Sequence, residues 1–242
     1  MIIVYTGLTL SRSAVQRILP SANFAPPIRR GDLRDAVDDG VHTVVIIDGK
    51  FHQDLAVTPD EIMDAMRCGV KIYGASSMGA LRASELYAFG MVGHGLVFEY
   101  IKRNGEFRDD FVAQVFEEGD ENIHVISYAY VDFFFNIVAL EGQGLISVRE
   151  RAILLSLYAS IFYAERSWFS LQARLCKYHR NERLLSIAKR ACLDMGSQKY
   201  RDAVSVLRRV RGDVDRVKKL NEFFLQKASR RGRMRNEEPI FK

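Results

Sequence analysis

Two adjacent serines, Ser76 and Ser77, stand where a strand pattern gives way to a helix pattern. Val70-Lys71-Ile72-Tyr73 is a short apolar run with β-branched residues and reads as a buried strand. A floor of small or unbranched residues, Gly74 to Gly79, follows it. A strand turning directly into a helix presents the first helical N–H groups and the positive end of the helix dipole. A phosphate, a carboxylate or a tetrahedral oxyanion would be held well there. Either serine can act as a nucleophile, and either can be a plain N-cap. Met78, Arg82 and Glu85 fall on one helical face, so Arg82 can set a cation behind the serines. It can equally pair with Glu85 at i, i+3 on a wet surface. Gly74 and Gly79 flank the pair, but the second glycine is out of register for G-x-S-x-G.

Other candidates surround that turn. His42–Ile47 is a run of buried-strand character ending at Asp48-Gly49. A carboxylate at the carboxyl end of a central strand is where α/β proteins place functional groups, although Asp-Gly is also a common turn pair. His52, four residues on, has the chemistry of a general base and is otherwise polar surface. Asp109-Asp110 are paired acids that can hold Mg²⁺ or share a proton, and as surface acids need neither role. Asp32 can cap a helix, whereas Arg30 has no structural duty visible in the sequence.

The elements that must position these groups alternate. Ile2–Tyr5 reads as a first strand, Ser11 caps a helix reaching about Leu19, and Pro26-Pro27 fixes an extended connection. Pro59 opens another helix, closed by Cys68-Gly69. Gly90 to Gly95 reads as a glycine-punctuated loop or lid. From Glu121 the character changes. Ile123–Leu140 fits a buried helix, although its β-branched and aromatic content also suits a strand; Ser147 with Glu150 forms a capping box, and Ala152–Ala164 is a core helix. A helix with Tyr200, Val204 and Leu207 on one face follows, then another marked by Val214, Val217, Leu220, Phe223 and Phe224, then a basic tail from Arg230. The expected fold is α/β: a parallel-sheet, Rossmann-like core over 1–120, followed by an all-helical C-terminal region over 121–242.

Composition narrows the chemistry. With 242 residues and 48% hydrophobic content the chain can bury a substantial core. Its apolar runs are too short to span a bilayer, and its first residues have no basic signal-peptide region. Cys68, Cys176 and Cys192 lack metal spacing and are odd in number, which fits a reducing, cytoplasmic setting. Neither G-x-G-x-x-G nor a Walker A sequence is present, so no nucleotide cofactor and no metal is expected. Residues 1–165 carry 22 acidic against 14 basic side chains, whereas 166–242 carry 21 basic against 8 acidic. That split points to an acidic macromolecular partner for the basic segment, or to packing of the segment on the acidic half. The basic residues are mixed into helical patterns, with no nucleic-acid-binding motif.

The string Tyr73-Gly74-Ala75-Ser76-Ser77-Met78-Gly79-Ala80-Leu81-Arg82-Ala83-Ser84-Glu85-Leu86, with Gly90-Met91 and Gly93, resembles the signature of the TfuA-like family. Pro26-Pro27, Arg30-Gly31-Asp32, Ile46-Ile47-Asp48-Gly49, Phe51-His52 and Asp109-Asp110 are similar to its other motifs. The resemblance covers roughly the first half of the chain. Phe111 stands where an acidic residue is expected, and Thr6-Gly7-Leu8-Thr9 lacks the Gly-Pro-Ser common in the family. The resemblance implies a partner of a YcaO enzyme in backbone thioamidation of a ribosomally made peptide or a protein. It implies release of sulfide by hydrolysis of a thiocarboxylated, ubiquitin-like sulfur-carrier protein. In that reading Ser76 or Ser77 is the nucleophile, His52 with Asp48 the base, and the helix mouth with Arg82 the anion site. A water mechanism through Asp48 or Glu85 is the other route. Arg30, Asp32, Gly74, Met78, Gly79, Asp109 and Asp110 would line the site. The competing class is a non-catalytic adaptor that docks the YcaO enzyme and the precursor peptide.

Overall fold

The computed structural model describes residues 1–51, 55–118, 123–179 and 181–235; the side chains of 118, 123, 124, 221 and 223–235 are not among those described. His52 therefore lies outside the described residues, as do 236–242 of the basic end. Five parallel strands form the main sheet: β1 (Ile2–Tyr5), β2 (Ala22–Ala25), β3 (Thr43–Ile46), β4 (Lys71–Ala75) and β5 (Val92–His94). Their order is β2-β1-β3-β4-β5, the doubly wound order whose switch point lies between β1 and β3. The helices of this half are α1 (Arg12–Ile18), α2 (Asp32–Asp38), α3 (Pro59–Arg67), α4 (Met78–Leu86), α5 (Leu96–Asn104) and α6 (Asp109–Val112). A two-stranded hairpin, β6 (Phe116–Glu118) and β7 (Ile123–Val125), leads into α7 (Tyr130–Gly142), α8 (Val148–Ala159), α9 (Trp168–Tyr178), α10 (Glu182–Leu193) and α11 (Gln198–Arg235).

The central strands β1, β3 and β4 are largely buried on both faces and alternate between two cores. Ile3, Tyr5, Val44, Ile46 and Ile72 face α2 to α5. Ile2, Val4, Val45, Ile47, Tyr73 and Ala75 face the other way, onto α1 and onto Ala203, Val206, Leu207 and Val210 of α11. The second covering layer thus comes from the far end of the chain. α11 runs along the sheet from Asp202, which accepts the Val97 N–H at 2.8 Å, to Asp213, which accepts the Tyr73 hydroxyl at 2.6 Å. α7 to α10 build a separate core around Phe133, Tyr158, Leu171 and Leu184.

Several elements differ from the sequence reading. Ala22–Ala25 is an edge strand where an extended connection was expected. Gly90 to Gly95 holds β5 and is no lid, since a Cβ on Gly93 would lie 2.1 Å from the Phe98 ring. Ile123–Leu140 divides into β7 and α7. The core helix ends at Ala159, before Ala164. The last two helices and the start of the basic tail are one helix, α11. Its buried stripe is Lys199, Asp202, Ala203, Val206, Leu207 and Val210, while Tyr200 is exposed. The capping box at Ser147 is present in both halves.

Candidate functional site at the strand–helix elbow

Ser76 follows β4 directly and has φ of +73°, the left-handed region that costs a non-glycine residue about 1–3 kcal/mol. The chain makes a tight elbow there because α4 lies almost against the strands. A Cβ on Gly74 would stand 2.1 Å from the Gly79 carbonyl oxygen, and one on Gly79 would stand 1.8 Å from that of Ile46. The two glycines therefore do the work of the flanking glycines in G-x-S-x-G, although Gly79 is one position out of register. Met78 fills the core beneath, with Gly49 leaving room for its side chain.

The two serines have different duties. Ser77 occupies the N-cap position, yet its hydroxyl does not cap α4 and donates instead to the Val112 carbonyl at 3.3 Å. Ser76 is 0% exposed, and its Oγ has no hydrogen-bond partner among the described residues. Burial of an unpaired hydroxyl costs about 1–3 kcal/mol, so this atom is conspicuous. Ile47 O accepts from both Ser77 N and Gly79 N at 3.3 Å, which turns part of the helix mouth toward β3.

Asp48 sits at the switch point, fully buried, and holds the loop after β1. One carboxylate oxygen accepts from Thr6 Oγ1, Gly7 N and Thr9 N at 2.9, 3.1 and 2.8 Å; the other accepts from Thr9 Oγ1 at 2.6 Å. Four donors explain how a carboxylate is kept here. Arg82 donates through Nε to the Val57 carbonyl at 3.0 Å and through one terminal nitrogen to both oxygens of Glu85, at 3.0 and 2.8 Å. The i, i+3 pair is thus present and partly buried. Desolvation pushes the Asp109 carboxyl up, against the opposing pull of Arg82. Asp110 is paired with the buried guanidinium of Arg166 at 2.8 Å, and Arg166 also donates to the Asp110 carbonyl. This ion pair ties α6 to the helical region.

The structure brings Ser76, Ser77, Asp48 and the α6 segment together at the carboxyl end of the sheet. Arg30 and Asp32 lie at the start of α2, where the N-cap is Gly31 and Asp32 accepts the Arg29 N–H at 2.9 Å. Arg30 lines a cavity of about 690 Å³ between α2 and α3, with Glu61 capping α2 from across it. No group of metal-ligating side chains occurs among the described residues.

Sequence reasoning missed Lys199. This residue of α11 is 1% exposed, and its Nζ donates to the Val112 carbonyl at 3.1 Å and to Gln114 Oε1. Burial lowers its pKa from the ordinary lysine value, opposed by the more distant charges of Asp48 and Asp132. Its signal was its place in the apolar stripe of α11, where a lysine is out of character.

No curated protein matches the chain. The family model for TfuA-like proteins matches residues 48–167, about half of the chain. The match opens on Asp48 and includes both serines, the α6 acids and Arg166; it extends well past Glu118 and leaves out the first loop, Arg30, Asp32 and Lys199. With the elbow sequence and its geometry inside the matched span, the chain belongs to the TfuA-like family.

Proposed function

We propose that this protein hydrolyses a C-terminal thiocarboxylate on a ubiquitin-like sulfur-carrier protein, releasing sulfide for backbone thioamidation by a YcaO enzyme. Family membership supports a role linked to thioamidation and to a YcaO partner in general. The observation that carries the finer reading is Ser76: a strained elbow serine whose buried hydroxyl has no partner among the described residues. Strain and an orphaned polar atom at one residue are the signature of a group kept ready for a reaction. Ser76 attacks the thioacid carbonyl, sulfide leaves, and water releases the carboxylate. Asp48 shapes the neighbouring Thr6–Thr9 loop, and Gly74 and Gly79 let the carrier's terminus approach the backbone. Incubation of the purified protein with thiocarboxylated carrier tests this reading. Sulfide should appear with the native chain and vanish with Ser76→Ala; release that persists in the variant rejects the serine mechanism.

The adaptor reading has one observation in its favour. Both serines are closed over, at 0% and 2% exposure. Undiminished thioamidation by the YcaO enzyme with Ser76→Ala, beside no sulfide release from thiocarboxylated carrier by the native chain, would establish it. In either case the exposed Arg211, Arg216, Lys218 and Lys219 of α11 suit an acidic partner surface. Binding through them should weaken steeply between 0.1 and 1 M salt as screening shortens to ~3 Å.

A further inference from the structure

We propose that Lys199 is the general base for Ser76, carried to the elbow by the C-terminal helix. The proposal rests on the reading of Ser76 as nucleophile. Among the described side chains, three of the four acids near the elbow are already engaged, and the fourth, Asp109, feels the opposing charge of Arg82. Asp48 holds four donors of the first loop, Glu85 holds Arg82, and Asp110 holds Arg166. Lys199 differs in its partners. Its two acceptors, Val112 O and Gln114 Oε1, are both neutral carbonyl oxygens. The carboxylate of Asp132 faces the helix end but takes the Lys199 backbone N–H, at 3.0 Å.

This arrangement suits an amine and not an ammonium. A neutral amine has two N–H bonds and one lone pair. The two carbonyls take the two hydrogens and leave the lone pair. An ammonium in the same place would bury a third hydrogen and a full charge with no acid bonded to it. The downward push on its pKa from burial agrees with that assignment. Lys199 also reaches the elbow itself, because Val112 O accepts from both Lys199 Nζ and Ser77 Oγ, and Ser77 adjoins Ser76.

The reaction balances. The Ser76 hydroxyl gives its proton to the lone pair on Nζ, directly or through one water, and Oγ bonds to the carbonyl carbon of the thioacid. The C–S bond breaks and hydrosulfide leaves, taking the proton from Nζ. Water then gives a proton to Nζ, its oxygen bonds to the acyl carbon, and the ester oxygen returns to Ser76 with that proton. Thiocarboxylate and water become carboxylate and sulfide.

The test measures sulfide release from thiocarboxylated carrier against pH, with native chain, Ser76→Ala, Lys199→Met and Lys199→Arg. Met keeps the volume of the side chain, and Arg keeps donors and charge but offers no lone pair. Native release should rise with pH through an inflection below the ordinary lysine range. Both Lys199 variants should lose about 10²–10⁴-fold and lose the inflection. A Lys199→Arg chain with native rate would overturn the base and leave a positioning role. So would a native inflection that disappears in His52→Gln and persists in Lys199→Met. If the Lys199 variants fail to fold, a native profile with no inflection below the lysine range rejects the proposal by itself. Release that survives in Ser76→Ala rejects the nucleophile and, with it, this base. Loss in Ser76→Ala beside unchanged Lys199 variants rejects the base alone.

Discussion

Two serines on this molecule invite comparison. Ser205 of α11 makes the more familiar picture, with its hydroxyl 2.8 Å from Nε2 of His94 at the end of β5. Ser76, on the neighbouring strand's exit, has no hydrogen-bond partner among the described residues. Hydrogen bookkeeping reverses the impression. Arg209 approaches Nδ1 of His94 at 3.3 Å, and a guanidinium only donates. Nδ1 must accept, so Nε2 carries the hydrogen and donates to Ser205. Desolvation and Arg209 lower that histidine's pKa, which favours the neutral ring. An imidazole that already donates to a serine cannot take that serine's proton. Ser205 is satisfied, exposed and unstrained; Ser76 is buried, orphaned and strained. A finished hydrogen bond stabilises structure, whereas an unfinished one leaves an atom available for chemistry.

The sharpest way to break this contrast is to truncate each serine. Ser76→Ala should lower sulfide release by about 10³-fold or more. Its melting temperature should hold or rise, because no hydrogen bond is lost and an unpaired buried hydroxyl is removed. Ser205→Ala should leave release within twofold. Equal losses in the two variants would dissolve the distinction.

The next effect is on stability. Gly79→Ala sets a methyl group against the Ile46 carbonyl, with backbone on both sides and no flexible side chain to yield. A loss of about 3 kcal/mol or more in denaturant unfolding is expected, at the upper end of overpacking costs. A loss below about 1 kcal/mol would mean that α4 can lift from the strands, and that the elbow is not held by close approach.

Ser77→Ala should cost about 1 kcal/mol, the worth of one hydrogen bond, with Lys199 still serving Val112 O. Catalysis should persist. A dead but folded Ser77→Ala would transfer the nucleophile's role to Ser77.

The smallest effect concerns His94. Its folded pKa is lowered, so between that value and about 6.5 the unfolded chain binds more protons than the folded one. Stability should therefore rise with pH through this window, be complete above about 6.5, and fall as pH drops. His94→Gln should flatten that slope in melting curves at pH 5 to 7. An unchanged slope would assign the pH dependence to other groups.

The central strands, the elbow and the capping box were legible in the sequence because each is written in local pattern. β5 was not, since Val92-Gly93-His94 lies among turn-forming glycines and only the Phe98 ring explains Gly93. β2 is an edge strand of four residues before Pro26-Pro27, too short for alternation to show. α11 read as two helices because Gly212 lies between the Tyr200–Leu207 face and the Val214–Leu220 face. At the site, residue types pointed to Ser76 and Asp48, but could not tell a spent carboxylate from a free one. Lys199 was hidden for the same reason in reverse. In a basic segment a lysine looks like surface, and only the register of α11 against β4 shows it turned inward.

The position of α11 in the chain has a consequence for biosynthesis. Every strand of the main sheet is made before residue 95, but the helix that covers Val4, Val45 and Tyr73 begins at Gln198. During synthesis at about 5–20 residues per second, that apolar face waits for several seconds at least before its cover leaves the ribosome. The interval favours chaperone capture of the nascent chain. It also means that if Lys199 is the base, no partly made chain can release sulfide. The same contact that finishes the fold would then be the one that switches the chemistry on.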